Sequence, residues 1–136
     1  MPNAAVQERD RVPESLRHRL PVDFPVTIEV GSAERREVGS VANLSARGMF
    51  AASRMRLPVG TALRVTFYLP LPTGARPIVA SARVRWVNDP QAPRAPDLPG
   101  GMGLEFVGLD GSSARDLERF LQDLLAAPVA QGMPVE

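Results

Sequence analysis

Asn43, Ser45, Arg47 and Gly48 bring an amide, a hydroxyl, a guanidinium and a glycine into the six positions 43–48, just ahead of Met49 and Phe50. On the two-residue period of a strand, Asn43 and Ser45 point to one side and Leu44 to the other. Leu44 then anchors the core, leaving an amide and a hydroxyl side by side on the opposite surface. Gly48 supplies a position without a Cβ, where the chain can turn or let another group come close to its backbone. This is hydrogen-bonding chemistry, a polar shelf with no nucleophile and base in it. Asn, Ser and Gly are also the residues that β-turns prefer, so a simple turn accounts for the same stretch.

The remaining inventory argues against catalysis. The one histidine, His18, lies in an arginine-rich segment, where it makes neither a triad nor a metal cluster. With no cysteine, disulfides and thiolate metal sites are excluded. Asp89, Asp97, Glu105 and Asp110 are scattered without a spacing that suits acid–base work. Gly100-Gly101-Met102-Gly103 has the look of a phosphate-binding glycine loop, but it precedes a strand pattern and not a helix, so it reads as a tight turn. The expectation is a protein that is not an enzyme and has no metal or cofactor.

The net charge of +1 supplies no field for a nucleic-acid polymer, and aromatics, at 5% of residues, are too few for stacking platforms. All 16 basic residues are arginine. The planar guanidinium suits phosphate and the guanine edge better than an ammonium does, although codon bias in a GC-rich genome gives the same composition. No run of about 18 apolar residues exists to enter a membrane, and the first 19 residues lack the apolar stretch of a signal peptide. The reading is a soluble, cytoplasmic chain.

Hydrophobic period sets the elements that must hold the polar stretch. Phe24, Val26, Ile28 and Val30 alternate with polar residues and proline as a half-buried strand, with Pro25 near an edge, and 31–34 is its turn. Strands at 36–45 and 48–52 flank the polar shelf. A fourth strand carries Leu63, Val65, Phe67 and Leu69 inward and ends at Pro70, Pro72 and Gly74. A fifth, 78–87, puts Ala80, Ala82, Val84 and Trp86 on one face and Ser81, Arg83 and Arg85 on the other. The segment 88–101, with four prolines and no apolar period, is a long loop whose length hints at a lid or an insertion.

Met102, Leu104 and Phe106 make a sixth strand, and Ser113 with Asp116 three residues on looks like a capping box. Leu117, Phe120, Leu121 and Leu124 form the stripe of an amphipathic helix that Pro128 stops, with Arg115 and Arg119 on its polar surface. Six short strands and a terminal helix imply an all-β fold, an antiparallel β-barrel with a C-terminal helix packed at its side. One domain is expected at 15–127, between flexible tails 1–14 and 128–136.

With these residues in order, the segment 17–125 resembles a PilZ domain. The resemblance rests on Arg19-Leu20-Pro21-Val22-Asp23-Phe24-Pro25-Val26 at the first strand, on Asn43-Leu44-Ser45-Ala46-Arg47-Gly48 as the family's (D/N)-x-S-x-x-G motif, and on Gly101-Met102-Gly103-Leu104-Glu105-Phe106. It implies a six-stranded barrel and, in many members, binding of the second messenger cyclic di-GMP. An R-x-x-x-R segment before the first strand wraps over that ligand, and the (D/N)-x-S-x-x-G motif holds it from the barrel.

By position, Asn43, Ser45 and Gly48 carry over, Arg19 takes the second arginine, and Ser15 stands where the first belongs, with Arg17 two residues away as a substitute. The resemblance implies that Arg17 and Arg19 contact guanine edges and phosphates, that Asn43 and Ser45 hydrogen-bond a base or phosphate, and that Gly48 keeps the backbone clear. Arg47 is a further candidate phosphate contact, or simply an exposed arginine. Ordering of the N-terminal segment would then switch a protein partner in motility, surface behaviour or envelope processes. The alternative, motivated by Ser15, is a PilZ-like module that binds a protein partner without the nucleotide.

Overall fold

Alternating apolar residues build the wall of a closed barrel. The computed structural model describes residues 19–31 and 35–126. The strands are β1 (Leu20–Val30), β2 (Arg35–Leu44), β3 (Gly48–Ala52), β4 (Ala62–Leu71), β5 (Gly74–Asn88) and β6 (Gly101–Leu109), followed by helix α1 (Gly111–Ala126). All pair antiparallel in the order β1-β2-β3-β6-β5-β4, and β4 returns to β1 through Thr27–Thr66, Ile28–Val65 and Glu29–Arg64. Closure removes the sheet edges that invite pairing with other chains. Pro25 pairs with Ser40 of β2 but lies outside the stretch of β1 that pairs with β4, so that part of the strand is a local edge, as its proline implies.

Of the expected inward residues, Val26, Ile28, Leu44, Val65, Phe67, Leu69, Val84, Met102 and Leu104 are buried in one cluster, which Val41, Met49 and Ile78 join. The crossover 53–61 carries β3 to β4 and adds Met55 and Leu57 to that cluster, where the Leu57 N–H meets the Met102 Sδ at 3.4 Å. Toward the far end of β4 and β5, α1 inserts Leu117 and Leu121 into the same core, and Phe120 meets Phe24 edge-on at 6.2 Å. Asp116 of α1 reaches Arg76 of β5 at 3.4 Å.

Three local readings change. The helix begins earlier than a Ser113 cap implies: the Ser113 N–H donates to Asp110 Oδ1 at 2.7 Å and the Ala114 N–H to the Asp110 carbonyl, so Asp110 is the cap and Ser113 a buried residue of the first turn. In β5 a bulge between Val84 and Trp86 shifts the alternation by one, so that Trp86 leaves the inward face and Val87 packs toward the core. Trp86 instead lies on the outer wall over Gly103, with Phe50 at 5.3 Å on one side and the Arg94 guanidinium 5.3 Å from its ring.

The glycines at 101 and 103 are strand residues rather than turn residues. A Cβ at Gly103 would overlap the indole, so glycine is what lets the tryptophan lie flat on the wall.

The proline-rich segment after β5 is stapled down. Asn88 is fully buried, its Nδ2 donating to the carbonyls of Ala95, Leu98 and Pro99 at 2.9–3.1 Å while its Oδ1 accepts the Ala95 N–H. One amide side chain thus does for this loop what a strand pairing would. The tails 1–14 and 128–136, most of the 31–34 turn and Arg17 lie outside the described residues.

Candidate functional site

The polar stretch forms the turn between β2 and β3, and each of its residues has a distinct task. Ser45 lies past the end of β2 and is buried. Its Oγ accepts the N–H groups of Arg47 and Gly48 at 3.1 and 3.2 Å and faces the Gly48 carbonyl at 3.4 Å, so one donor and two acceptor sites are all engaged within the turn. The shelf reading, with Ser45 beside Asn43 on an open surface, is therefore replaced by a serine-capped turn. The Ser45 N–H donates to the Gly48 carbonyl, and the Arg47 carbonyl accepts the Phe106 N–H at 2.8 Å, fastening the turn to β6.

Asn43 acts through its oxygen. Oδ1 accepts the Phe50 N–H at 3.0 Å, bridging the register shift between β2 and β3, and also accepts Arg19 Nη1 at 3.2 Å. A second nitrogen of the same guanidinium, Nη2, donates to the Leu104 carbonyl of β6 at 3.4 Å. Arg19 is thus seated on two oxygens from opposite sides of β3, and the desolvation that comes with this seat lowers its pKa from the ordinary arginine value.

Gly48 explains why the seat exists. A Cβ there would overlap the Leu104 carbonyl, the same oxygen that receives Arg19. Its φ is not left-handed. The absence of a side chain serves the close approach of β3 and β6, not a turn conformation.

Around this floor lies an open cleft of about 270 Å³ lined by Arg19, Ser45, Arg47, Gly48, Arg85 and Glu105. Three guanidiniums and one carboxylate line the cleft, so its formal charge is positive. Of the residues singled out in the sequence, Arg19, Ser45, Arg47 and Gly48 line it and Asn43 stands behind Arg19. Arg85 and Glu105 come from β5 and β6, and although Glu105 lies in the Gly101–Phe106 stretch, the sequence assigns neither to the site. Their signal is the register, Gly48 opposite Glu105 and Glu105 opposite Arg83, which one sequence does not reveal.

Arg85 Nε approaches Glu105 Oε1 at 3.4 Å. Among the described residues no three His, Cys, Asp or Glu side chains gather as a metal site, and no helix is long and apolar enough to cross a membrane.

A closed six-stranded antiparallel barrel with one C-terminal helix is the fold of a PilZ domain. Residues 11–123 match the PilZ domain model, and the chain belongs to the PilZ domain family, whose members are binding and regulatory domains rather than enzymes.

Two solved structures share the fold. The inhibitor of motility MotI/DgrA of Bacillus subtilis superposes with a TM-score of 0.65 at 23% identity, over 79% of this chain and 49% of that one. The PilZ domain of CeSA from a cellulose-synthesizing bacterium gives 0.56 at 16% identity, over 79% of this chain and 97% of that one. The chain therefore spans about half the length of MotI. No curated protein matches it.

Proposed function

We propose that this chain binds cyclic di-GMP in the cleft at Gly48 and acts from the cytoplasm as a ligand-gated switch on a protein partner. The observation that supports this most is the seating of Arg19 on Asn43 Oδ1 and Leu104 O at the rim of a cleft where Arg47 and Arg85 also converge. Two phosphodiesters and two guanine edges are what planar, charged, multi-donor guanidiniums recognise. In this reading Arg19 and Arg47 meet the ligand directly, while Asn43, Ser45 and Gly48 hold the geometry. Arg17, from the segment that leads into Arg19, adds a further guanidinium. The cleft is small beside a dinucleotide.

The test is calorimetric titration of cyclic di-GMP into the full chain at physiological salt, with GTP as the control. Saturable, selective binding that is lost in Arg19→Ala supports the reading. No heat at about 100 μM ligand overturns it, since affinity that weak lies outside the range of a useful switch. Ser15 in place of the first motif arginine favours a second reading, a PilZ module that engages its protein partner without the nucleotide, and the same null titration would support it.

A further inference from the structure

We propose that Arg85 is a phosphate-binding residue of this cleft, and that Glu105 is a resident counter-ion which the ligand displaces from it. The inference rests on the cyclic di-GMP reading for the identity of the ligand, but on the local geometry for the anion contact itself. Val84 pairs with Leu104 and Trp86 with Gly103, which leaves Arg85 as the inserted residue of a bulge, opposite no residue of β6. Bulges of this kind re-aim a side chain and recur beside binding sites. Arg85 keeps the outward face that alternation gives it, at the rim of the cleft whose floor is Gly48, and the bulge brings Trp86 out beside it.

The state of Arg19 shows why a further guanidinium beside Arg47 matters here. Arg19 already donates to Asn43 Oδ1 and Leu104 O, so part of its fork is committed to the barrel. Arg85 remains 60% exposed and is held by Glu105 at 3.4 Å, a long and solvated ion pair that contributes little to stability. A phosphate offers the same guanidinium two oxygens in a matching plane and a shorter, charge-assisted geometry.

Exchange of carboxylate for phosphate needs no change in the fold, because Arg85 and Glu105 both stand on paired strands. Glu105 therefore acts as a selectivity device. It keeps weak monoanions off the cleft and yields to a ligand that brings enough charge to compete.

The experiment compares cyclic di-GMP affinity of the full chain with those of Arg85→Ala, Arg85→Lys and Glu105→Gln. Arg64→Ala, on a distant part of the wall, is the arginine control. Thermal unfolding first establishes that each variant is folded. The expected result is a loss of about tenfold or more in Arg85→Ala, partial recovery in Arg85→Lys, a gain of about threefold to tenfold in Glu105→Gln, and no change in Arg64→Ala. Unchanged affinity in Arg85→Ala and Glu105→Gln, with binding still lost in Arg19→Ala, overturns the proposal and leaves the cyclic di-GMP reading standing.

If the wild-type chain does not bind the dinucleotide, that reading fails and inorganic pyrophosphate becomes the probe, followed through the arginine Nε–H resonances. A shift of Arg85 that is absent at Arg64, and that Glu105→Gln enlarges, supports the anion contact. No shift at Arg85, or an equal one at Arg64, overturns it.

Discussion

At the scale of single residues, the six positions from Asn43 to Gly48 build a seat for an arginine more than they offer groups to a ligand. Asn43 contributes an acceptor to two donors at once, so its role is defined by Oδ1 and not by its amide nitrogen. Asn43→Asp keeps both acceptors and adds charge assistance to the Arg19 contact, so cyclic di-GMP affinity should stay within about threefold of wild type. Asn43→Ala removes the Arg19 support and leaves the Phe50 N–H without its partner. Affinity should fall by about tenfold or more, with a loss of roughly 1 kcal/mol in chemical denaturation. Equal affinities for the two variants would show that Arg19 does not need the seat.

The motif letters were legible in the sequence, but their roles were not. Which oxygen Gly48 leaves open is a property of β6, far away in the chain. That Ser45 spends its hydroxyl on its own turn is likewise visible only once the turn is formed.

At the scale of elements, period-2 alternation was sufficient wherever strands ran regularly, and it failed at the one bulge that bears on the site. Nothing in Arg83-Val84-Arg85-Trp86-Val87 marks the extra residue. The bulge is set by cross-strand packing, in which the indole takes the space that Gly103 leaves on the outer wall. The helix start was missed for a related reason, since Asp110 and Ser113 are both competent caps and only the packing of Ser113 into the first turn decides between them.

The proline-rich segment 89–100 has no period to read, yet Asn88 organises it through four hydrogen bonds. Asn88→Ala should cost about 1–3 kcal/mol, because the loop loses the hydrogen bonds of a buried side chain whose partners are part-buried carbonyls. Trp86 is the chain's single tryptophan and packs under Arg94 of this loop, so its fluorescence reports the change directly. A red shift with faster amide exchange across 89–100 is expected. An unchanged spectrum and exchange pattern would mean that the loop is held by something other than Asn88.

At the scale of the whole molecule, the barrel is only as closed as its seam, the place where β1 meets β4 through Thr27, Ile28 and Glu29. Glu29 spans that seam. Its Oε2 accepts Nε and Nη2 of Arg36 from β2 at 3.1 and 2.8 Å, and its Oε1 accepts Nε and Nη2 of Arg64 from β4 at 3.2 and 3.1 Å. Hydrogen bonds from Arg36 and then from Arg64 hold the Glu29 carboxyl below the ordinary value of 4.5, against a smaller opposing effect of desolvation.

A carboxylate whose folded pKa is depressed stabilises the fold fully above its unfolded value, and that stabilisation disappears as pH falls through the folded one. The thermal midpoint should therefore hold steady from pH 7 to about 5 and drop below about 4.5, more steeply at low ionic strength than in salt. Glu29→Gln should lower the midpoint at pH 7 and flatten the acid limb, because a neutral amide has no proton to gain. A variant that unfolds along the same acid limb as wild type would move the closure of the barrel away from this charge cluster and onto the apolar row beneath it, where Ile28 and Val65 pair in the core.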